Sequence, residues 1–219
     1  MVPPQAAAFS GVAQATDAPL GAVSSPMDIV RRMDERRLVE ACLRKERKAQ
    51  EMLYKRHYGR MMGLCLRYAR DRDEASAMLN QGFFKVFETL ERFDPDKGKL
   101  EGWIYRIVLH AAIDHYRSVI RPNRAEMVDP AEGWDLADGA EDALDRMAAE
   151  EILAMVQRLT PKYRAVFNLY AIEGYTHPEI AEALGISEGT SKSNFAKARR
   201  NLQAMIRERD AAQERRYAR

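Results

Sequence analysis

The 219-residue chain has no long run of Val, Ile and Thr of the kind that builds sheet strands, and only nine prolines and twelve glycines interrupt it. A strand-rich fold is excluded on that pattern, and the chain is expected to be all-α. Cysteine is almost missing. Cys42 and Cys65 stand alone on apolar helix faces with no CxxC pair, so no disulfide framework or thiolate metal motif is expected, and both read as core residues in a reducing compartment. No apolar run approaches the roughly 20 residues of a membrane span. The first residues carry Pro3 and Pro4 and lack a basic region before an apolar one, which is not the pattern of a signal peptide. Catalytic signatures are missing too. There is no nucleophile elbow, phosphate loop or metal motif. His110 and His115 lie five apart, about 500° around a helix, so they share no ligand face. His57 and His177 have no ligand neighbours in sequence. The chain is therefore expected to be no enzyme, with no cofactor, no metal and no small-molecule substrate.

What is present is charge, in blocks. The net charge is only +2, yet residues 31–72 hold fourteen Lys or Arg against six Asp or Glu. Residues 122–146 reverse this, with eight acids against Arg124 and Arg146, and from Lys192 onward nine bases face three acids. Basic, acidic, basic is the pattern of two nucleic-acid-facing modules around an acidic linker.

Helical periodicity organises the same map. Residues 1–27 are rich in Ala, Pro, Gly and Ser without a period and are expected to form a disordered tail. From Asp28, apolar stripes run through Leu38, Val39 and Cys42, then Ala49, Met52, Leu53 and Tyr54, then Met61, Leu64, Cys65 and Tyr68. Asp73 is the expected N-cap of the next helix, which carries Met78, Leu79, Phe83, Val86, Phe87 and Leu90. The turn residues of "FDPDKGK" break it, and a further helix spans about Glu101–Val119. After the acidic segment helix is expected again near Asp142. Thr160–Pro161 reads as a cap with proline at the first helical position. Val166, Leu169 and Tyr170 are expected to pack inward and Gly174 to stop the helix.

The sequence "GYTHPEIAEALGISEGTSKSNFAKARRNL" carries the sharpest signal. Thr176 and Glu179 are spaced as a capping box, Gly185 can take a left-handed turn, and Ser187 caps a second helix. Helix, three-residue turn, helix, with a small residue at Ala181, is a helix-turn-helix. Its second helix would offer Glu188, Thr190, Ser191, Lys192, Ser193, Asn194 and Lys197 to a major groove, with Arg199 and Arg200 behind. Asn pairs bidentately with adenine edges, and Lys and Arg reach guanine or phosphate.

Three segments carry a family resemblance. "LTPKYRAVFNLYAIEGYTHPEIAEALGISEGTSKSNFAKARRNL" resembles region 4 of sigma-70 factors of the extracytoplasmic-function (ECF) group. "AQEMLYKRHYGRMMGLCLRYARDRDEASAMLNQGFFKVFETLERF" resembles the start of region 2, and "GWIYRIVLHAAIDHYR" its end. The resemblance implies two small helical domains joined by an acidic flexible linker. They are a region 2 bundle at 28–120, the linker at 121–143, the region 4 helix-turn-helix at 144–210, and a basic tail at 211–219. It further implies a cytoplasmic promoter-specificity subunit of RNA polymerase. Region 2 would grip the clamp coiled-coil of the largest subunit and open the −10 element; region 4 would bind the flap of the second-largest subunit and read the −35 element. An anti-sigma factor is implied as a regulator. The alternative is a sigma-like protein that only titrates such a regulator.

Site residues follow from that match. Ser76, Ala77, Asn80, Gln81 and Phe84 fall on the helix that would hold polymerase, where the family usually has an acidic pair and Gln in place of Ser76, Ala77 and Asn80. For the −10 element the residues are Lys97, Lys99, Trp103, Arg106, His110, Tyr116 and Arg117, with His110 standing where Asn is usual. Trp103, Tyr105 and Tyr116 are aromatics a single strand could stack on, at roughly 1–3 kcal/mol per base. Arg106, Arg117 and Arg121 would meet phosphates, and the Lys97–Lys99 loop would shape a pocket for an extruded base.

Overall fold

The computed structural model describes residues 26–120 and 149–217, with side chains placed for 34–118, 151–215 and 217. Residues 1–25 of the expected tail and the whole of the expected linker lie outside the described residues. Among the described residues eight α-helices succeed one another and no strand occurs, as the composition requires. They are α1 Pro26–Leu43, α2 Arg47–Tyr68, α3 Arg72–Thr89, α4 Leu100–His115, α5 Ala149–Arg158, α6 Pro161–Phe167, α7 His177–Leu184 and α8 Glu188–Tyr217. Two of them widen at the end into a single π-type turn, α4 at Tyr116–Ile120 and α6 at Asn168–Ile172.

Local chemistry sets most boundaries. α1 is closed two residues past Leu43 by Lys45, which takes a left-handed φ of 60°. The amides of Lys45 and Glu46 donate back to the carbonyls of Cys42 and Ala41 at 2.9 and 3.1 Å, the bonds with which a glycine usually closes a helix. Lys45→Gly relieves the side-chain penalty of that turn but adds unfolded-chain entropy, for a net gain of about 0.5 kcal/mol. Thermal circular dichroism is expected to show a rise of about 1–2 °C; a fall would show that the turn carries no strain.

α3 is capped two residues earlier than the sequence suggested. Asp71, not Asp73, accepts from the Glu74 amide at 2.8 Å, and the Glu74 carboxylate accepts from the Arg70 amide at 2.6 Å. A cap needs its acceptor three residues before the amide it serves, and the returning Glu74 carboxylate completes the pairing from Asp71. Thr160 does occupy the N-cap of α6 with Pro161 after it, but its hydroxyl makes no capping bond. The two apolar stripes read between Ala49 and Tyr68 belong to one 22-residue helix, α2, with Met52 left 55% exposed.

α2, α3 and α4 build the first core around Leu53, Met61, Leu64, Met78, Leu79 and Ile104, with Tyr54 against Phe83 at 4.6 Å. α3 approaches α4 closely at Gly82. A Cβ there would stand 2.9 Å from Val108 Cγ2 and 3.1 Å from Val108 Cα on α4. A second core, Met155, Val156, Leu159, Tyr163, Ala198, Leu202 and Ile206, joins α5 and α6 to α8. The first cluster runs on into Ala165, Val166, Leu169, Ile180 and Leu184, so the two bundles are packed together.

Two expectations about the second bundle change. Tyr170 is 40% exposed because the π-type turn adds a residue per turn and carries it off the inward face. The segment expected as a tail from 211 remains helical to Tyr217, since Ala211, Ala212, Gln213, Glu214 and Arg215 favour helix and no breaker intervenes.

Candidate nucleic-acid and polymerase interfaces

The helix-turn-helix is assembled by short-range bonds. The Thr176 amide donates to Glu179 at 2.8 Å while the Thr176 hydroxyl accepts from the Glu179 amide, a complete capping box. These bonds, backbone first, hold the Glu179 carboxyl below its ordinary pKa. Gly185 takes the left-handed C-cap at φ 65°, ψ 41°. The Thr190 amide donates to the Ser187 hydroxyl at 3.0 Å, starting α8 after a three-residue turn from the end of α7. Leu184 and Ile180 are fully buried beneath.

Lys192, Ser193, Arg199 and Arg200 lie exposed on α8, while Thr190 and Lys197 are half-buried. Lys192 Nζ sits 2.7 Å from Glu188, one turn back; that hydrogen bond, then the charge, lowers the Glu188 pKa. The Ser193 hydroxyl donates to the Thr190 carbonyl at 3.1 Å, which leaves its oxygen to accept.

Asn194 corrects the sequence reading. It is 9% exposed and lies on the inward stripe with the buried Ser191, Ala198, Leu202 and Ile206. Spacings of three and four put those residues on one face. Polar Ser191 and Asn194 disguised that face, so the base-reading role expected of Asn194 is withdrawn, and with it the groove position of Ser191. Ser191 is accommodated by a bond to His177 Nδ1 at 3.0 Å, and the His177 ring stacks on Tyr170 at 4.5 Å. Nothing in the sequence paired those three residues, which come from the three helices around the turn.

On the first bundle, Lys99, Trp103, Arg106, His110, Asp114 and Arg117 follow one another at three- and four-residue steps along α4 and its extension. They form a single outward stripe. Arg106, His110 and Arg117 are exposed, as are Lys97 and Lys99 in the loop before α4. Lys97 pairs with Asp94 at 3.3 Å, and Asp114 pairs with Lys85 at 2.7 Å. Surrounding protein desolvates His110 and pushes its pKa down; Asp114 opposes the shift and Lys85 adds to it. His110 is thus a neutral hydrogen-bonding group near pH 7. Trp103 is half-buried against Phe93 at 5.6 Å, which leaves part of its ring outward.

Tyr116 is the second correction. It is 8% exposed within the first core, so its ring is not offered to a strand. It lies at the start of the π-type turn, seven residues after Leu109 and three after Ile113, on their inward face. Tyr105 is also committed, its hydroxyl donating to Glu173 at 2.9 Å. Arg121 lies outside the described residues.

α3 presents the third surface. Ala77, Asn80, Gln81 and Phe84 are exposed on one face, and Phe84 stands out at 58%. Ser76 is half-buried and its hydroxyl donates to the Arg72 carbonyl at 2.8 Å; Asn80 accepts from the Tyr54 hydroxyl at 3.2 Å. Phe84 is thus an outward aromatic on the same face as the uncharged Ala77, Asn80 and Gln81. Among the described residues no group of three His, Cys, Asp or Glu could hold a metal, and no helix is long and apolar enough to cross a membrane.

A helix-turn-helix joined in one chain to a bundle with a basic, partly aromatic stripe defines a two-module DNA-binding protein. Residues 53–121 match the family model for sigma-70 region 2, and residues 149–202 match that for sigma-70 region 4, together more than half of the chain. The chain belongs to the sigma-70 family, ECF group. It is 29% identical over 156 residues to the ECF RNA polymerase sigma factor SigE of Mycolicibacterium smegmatis, covering 68% of this chain but only 58% of that one. To the RNA polymerase sigma-H factor of Pseudomonas aeruginosa it is 28% identical over 189 residues, covering 80% and 96%. Among solved structures it resembles CnrH in complex with the cytosolic domain of CnrY, at 23% identity, 78% and 96% coverage and a TM-score of 0.39. The sigma factor RpoE with the anti-sigma factor NepR from Bartonella quintana follows at 14% identity, 72% and 96% coverage and a TM-score of 0.41.

Proposed function

We propose that this chain is a promoter-specificity subunit that brings RNA polymerase core to promoters, with no catalysis of its own, working in the cytoplasm. One observation carries the reading: two separate helices, α4 and α8, each turn a basic stripe outward. α8 offers Lys192, Ser193, Lys197, Arg199 and Arg200 to a −35 duplex, with Thr190 at its edge. α4 offers Lys99, Trp103, Arg106, His110 and Arg117 to a −10 strand, with Lys97 in the adjoining loop. Phe84 and its neighbours Ala77, Asn80 and Gln81 meet the polymerase clamp. A regulator that competes with polymerase would take the same exposed face, which is how an anti-sigma factor enters the reading. The test is reconstituted transcription with purified polymerase core on a pool of promoters, with start sites sequenced. Starts at a shared pair of sequence elements support the reading; absence of directed starts defeats it.

Lys192 tests the α8 surface alone. Lys192→Ala is expected to weaken duplex binding alike on all sequences and to reduce the salt slope by about 0.9, the share of one phosphate. Titrations at several salt concentrations measure it. An unchanged slope would place Lys192 off the DNA and leave it to its partner Glu188.

A further inference from the structure

The part of α8 that faces DNA is held differently from the rest of the helix. From Ala198 through Leu202 to Ile206 its inward stripe is apolar and joins Met155, Val156, Leu159 and Tyr163. One and two turns earlier the same stripe carries Asn194 and Ser191, and Ser191 is 0% exposed. Apolar burial has no direction. A hydrogen bond has one, and it weakens steeply as distance and angle depart from the optimum. The start of α8 therefore depends on polar geometry where its remainder depends on bulk packing.

That geometry comes from His177, the first residue of α7. Its Nδ1 lies 3.0 Å from the Ser191 hydroxyl, a group that can give or accept the proton. Its ring stacks on Tyr170, with centroids 4.5 Å apart and planes at 16°. The π-type turn at Asn168–Ile172 is what carries Tyr170 outward to this place. Tyr170 in turn lies 4.4 Å from the ring of Phe195, and Phe195 meets the His177 ring edge-on at 6.0 Å. Phe195 follows Ser191 by four residues, so both stand on one side of α8, a single turn apart. A helix held at two points a turn apart, one of them directional, is fixed in rotation about its own axis. One apolar contact would leave that rotation free.

Rotation is the movement to which base reading is most sensitive. Ser193 and Lys197 stand on the far side of α8 from Ser191 and Phe195, with Lys192 on the flank. A rotation of about 20° of a helix roughly 10–12 Å across carries its surface groups by about 2 Å. Hydrogen bonds occupy a distance window of only about 0.5 Å, so such a rotation loses the base contacts. Long basic side chains can follow the movement and keep their phosphates, which position the protein without reading sequence.

We infer that His177 is a positioning residue for promoter reading: bonded to Ser191 and stacked on Tyr170, it sets the rotation of the first turns of α8 and so decides which side chains meet base edges. The inference rests on the promoter reading above, and its test separates the two.

Two variants of the full chain isolate the bond. Ser191→Ala deletes the hydroxyl, leaves no buried polar side-chain atom at that position and brings a better helix former. Its melting temperature is expected to match or exceed that of the wild type. His177→Phe keeps a ring for Tyr170 and deletes the nitrogen. Without DNA, hydrogen exchange at the amides of residues 192–195 is expected to quicken about fivefold in both, the share of one net hydrogen bond. In reconstituted holoenzyme, binding is then compared between a promoter recovered by start-site sequencing and the same promoter with its upstream element substituted. Both variants are expected to lose about tenfold of that discrimination, the share of one base contact, at an unchanged salt slope. The double variant is expected to lose no more than either single one, because the same bond is removed. His177→Asn, which offers an amide atom near the position of Nδ1, is expected to recover most of the discrimination. Unchanged exchange in Ser191→Ala, or wild-type discrimination in both variants, overturns the inference. So does a loss of discrimination that merely follows a fall in melting temperature. Should His177→Phe misfold, Ser191→Ala decides alone. If wild-type holoenzyme makes no directed starts while exchange quickens as expected, the promoter reading fails and the hold of His177 on α8 stands.

Discussion

Phe84→Ala is expected to weaken binding to RNA polymerase core by at least about 2 kcal/mol, roughly thirtyfold. The side chain is 58% exposed on α3 and has polar neighbours in Ala77's row at Asn80 and Gln81. Burying such a ring removes apolar area from water at about 25 cal/mol per Å², while charges at an interface rim mainly change on-rate and specificity. That contrast matters here because Ser76, Ala77 and Asn80 bring no charge to the surface. Ser76→Glu with Ala77→Asp is accordingly expected to bind equally or moderately tighter. Folding should be nearly unaffected by Phe84→Ala, because an exposed side chain contributes within about 0.5 kcal/mol. Calorimetric titration against polymerase core separates the outcomes. Wild-type affinity in Phe84→Ala would move the contact away from α3. If the native chain fails to bind and the acidic double variant gains binding, a protein that only titrates a regulator becomes the better account.

Gly82→Leu is expected to destabilise the first bundle by about 3 kcal/mol, visible as a melting temperature lower by roughly 6–12 °C for a chain of this size. The first carbon of any side chain at this position would lie 3.1 Å from the backbone of Val108. A side chain could rotate away, but a backbone atom moves only if α3 and α4 part. Alanine offers a graded test. It regains about 1 kcal/mol of helix propensity and loses that gain to the clash, so Gly82→Ala is expected to be near neutral to mildly destabilising. Combining it with Val108→Ala removes the methyl at 2.9 Å and should cost less than the two single changes summed. Strict additivity would show that the crossing is not tight. The position matters to function because α3 carries Phe84 and α4 carries the DNA-facing stripe. Their spacing sets how the two surfaces are presented together.

The helix-turn-helix was legible because its determinants are neighbours along the chain. Thr176 meets Glu179, Ser187 meets the Thr190 amide, and Gly185 needs only its own backbone freedom. Each bond spans three residues, so residue type and spacing decide it. The residues proposed on α4 came from the family resemblance, and only the helix in the structure shows Lys99, Trp103, Arg106, His110 and Arg117 sharing one face at three- and four-residue steps. Asn194 and Tyr116 were misread because side-chain chemistry suggested a ligand where the register pointed inward. Tyr170 was misread because a π-type turn, not coded by any single residue, shifted that register. The contact of Gly82 with Val108, and the pairings of Arg164 with Ala69 and Glu173 with Arg67, had no sequence signal at all. The two polar pairings link positions about a hundred residues apart. Such contacts form only after whole helices have packed, and many other partners are compatible with the same local patterns. The sequence alone determined the helices, the turn and the family. Tertiary packing decided which polar residues face solvent and brought the two modules together.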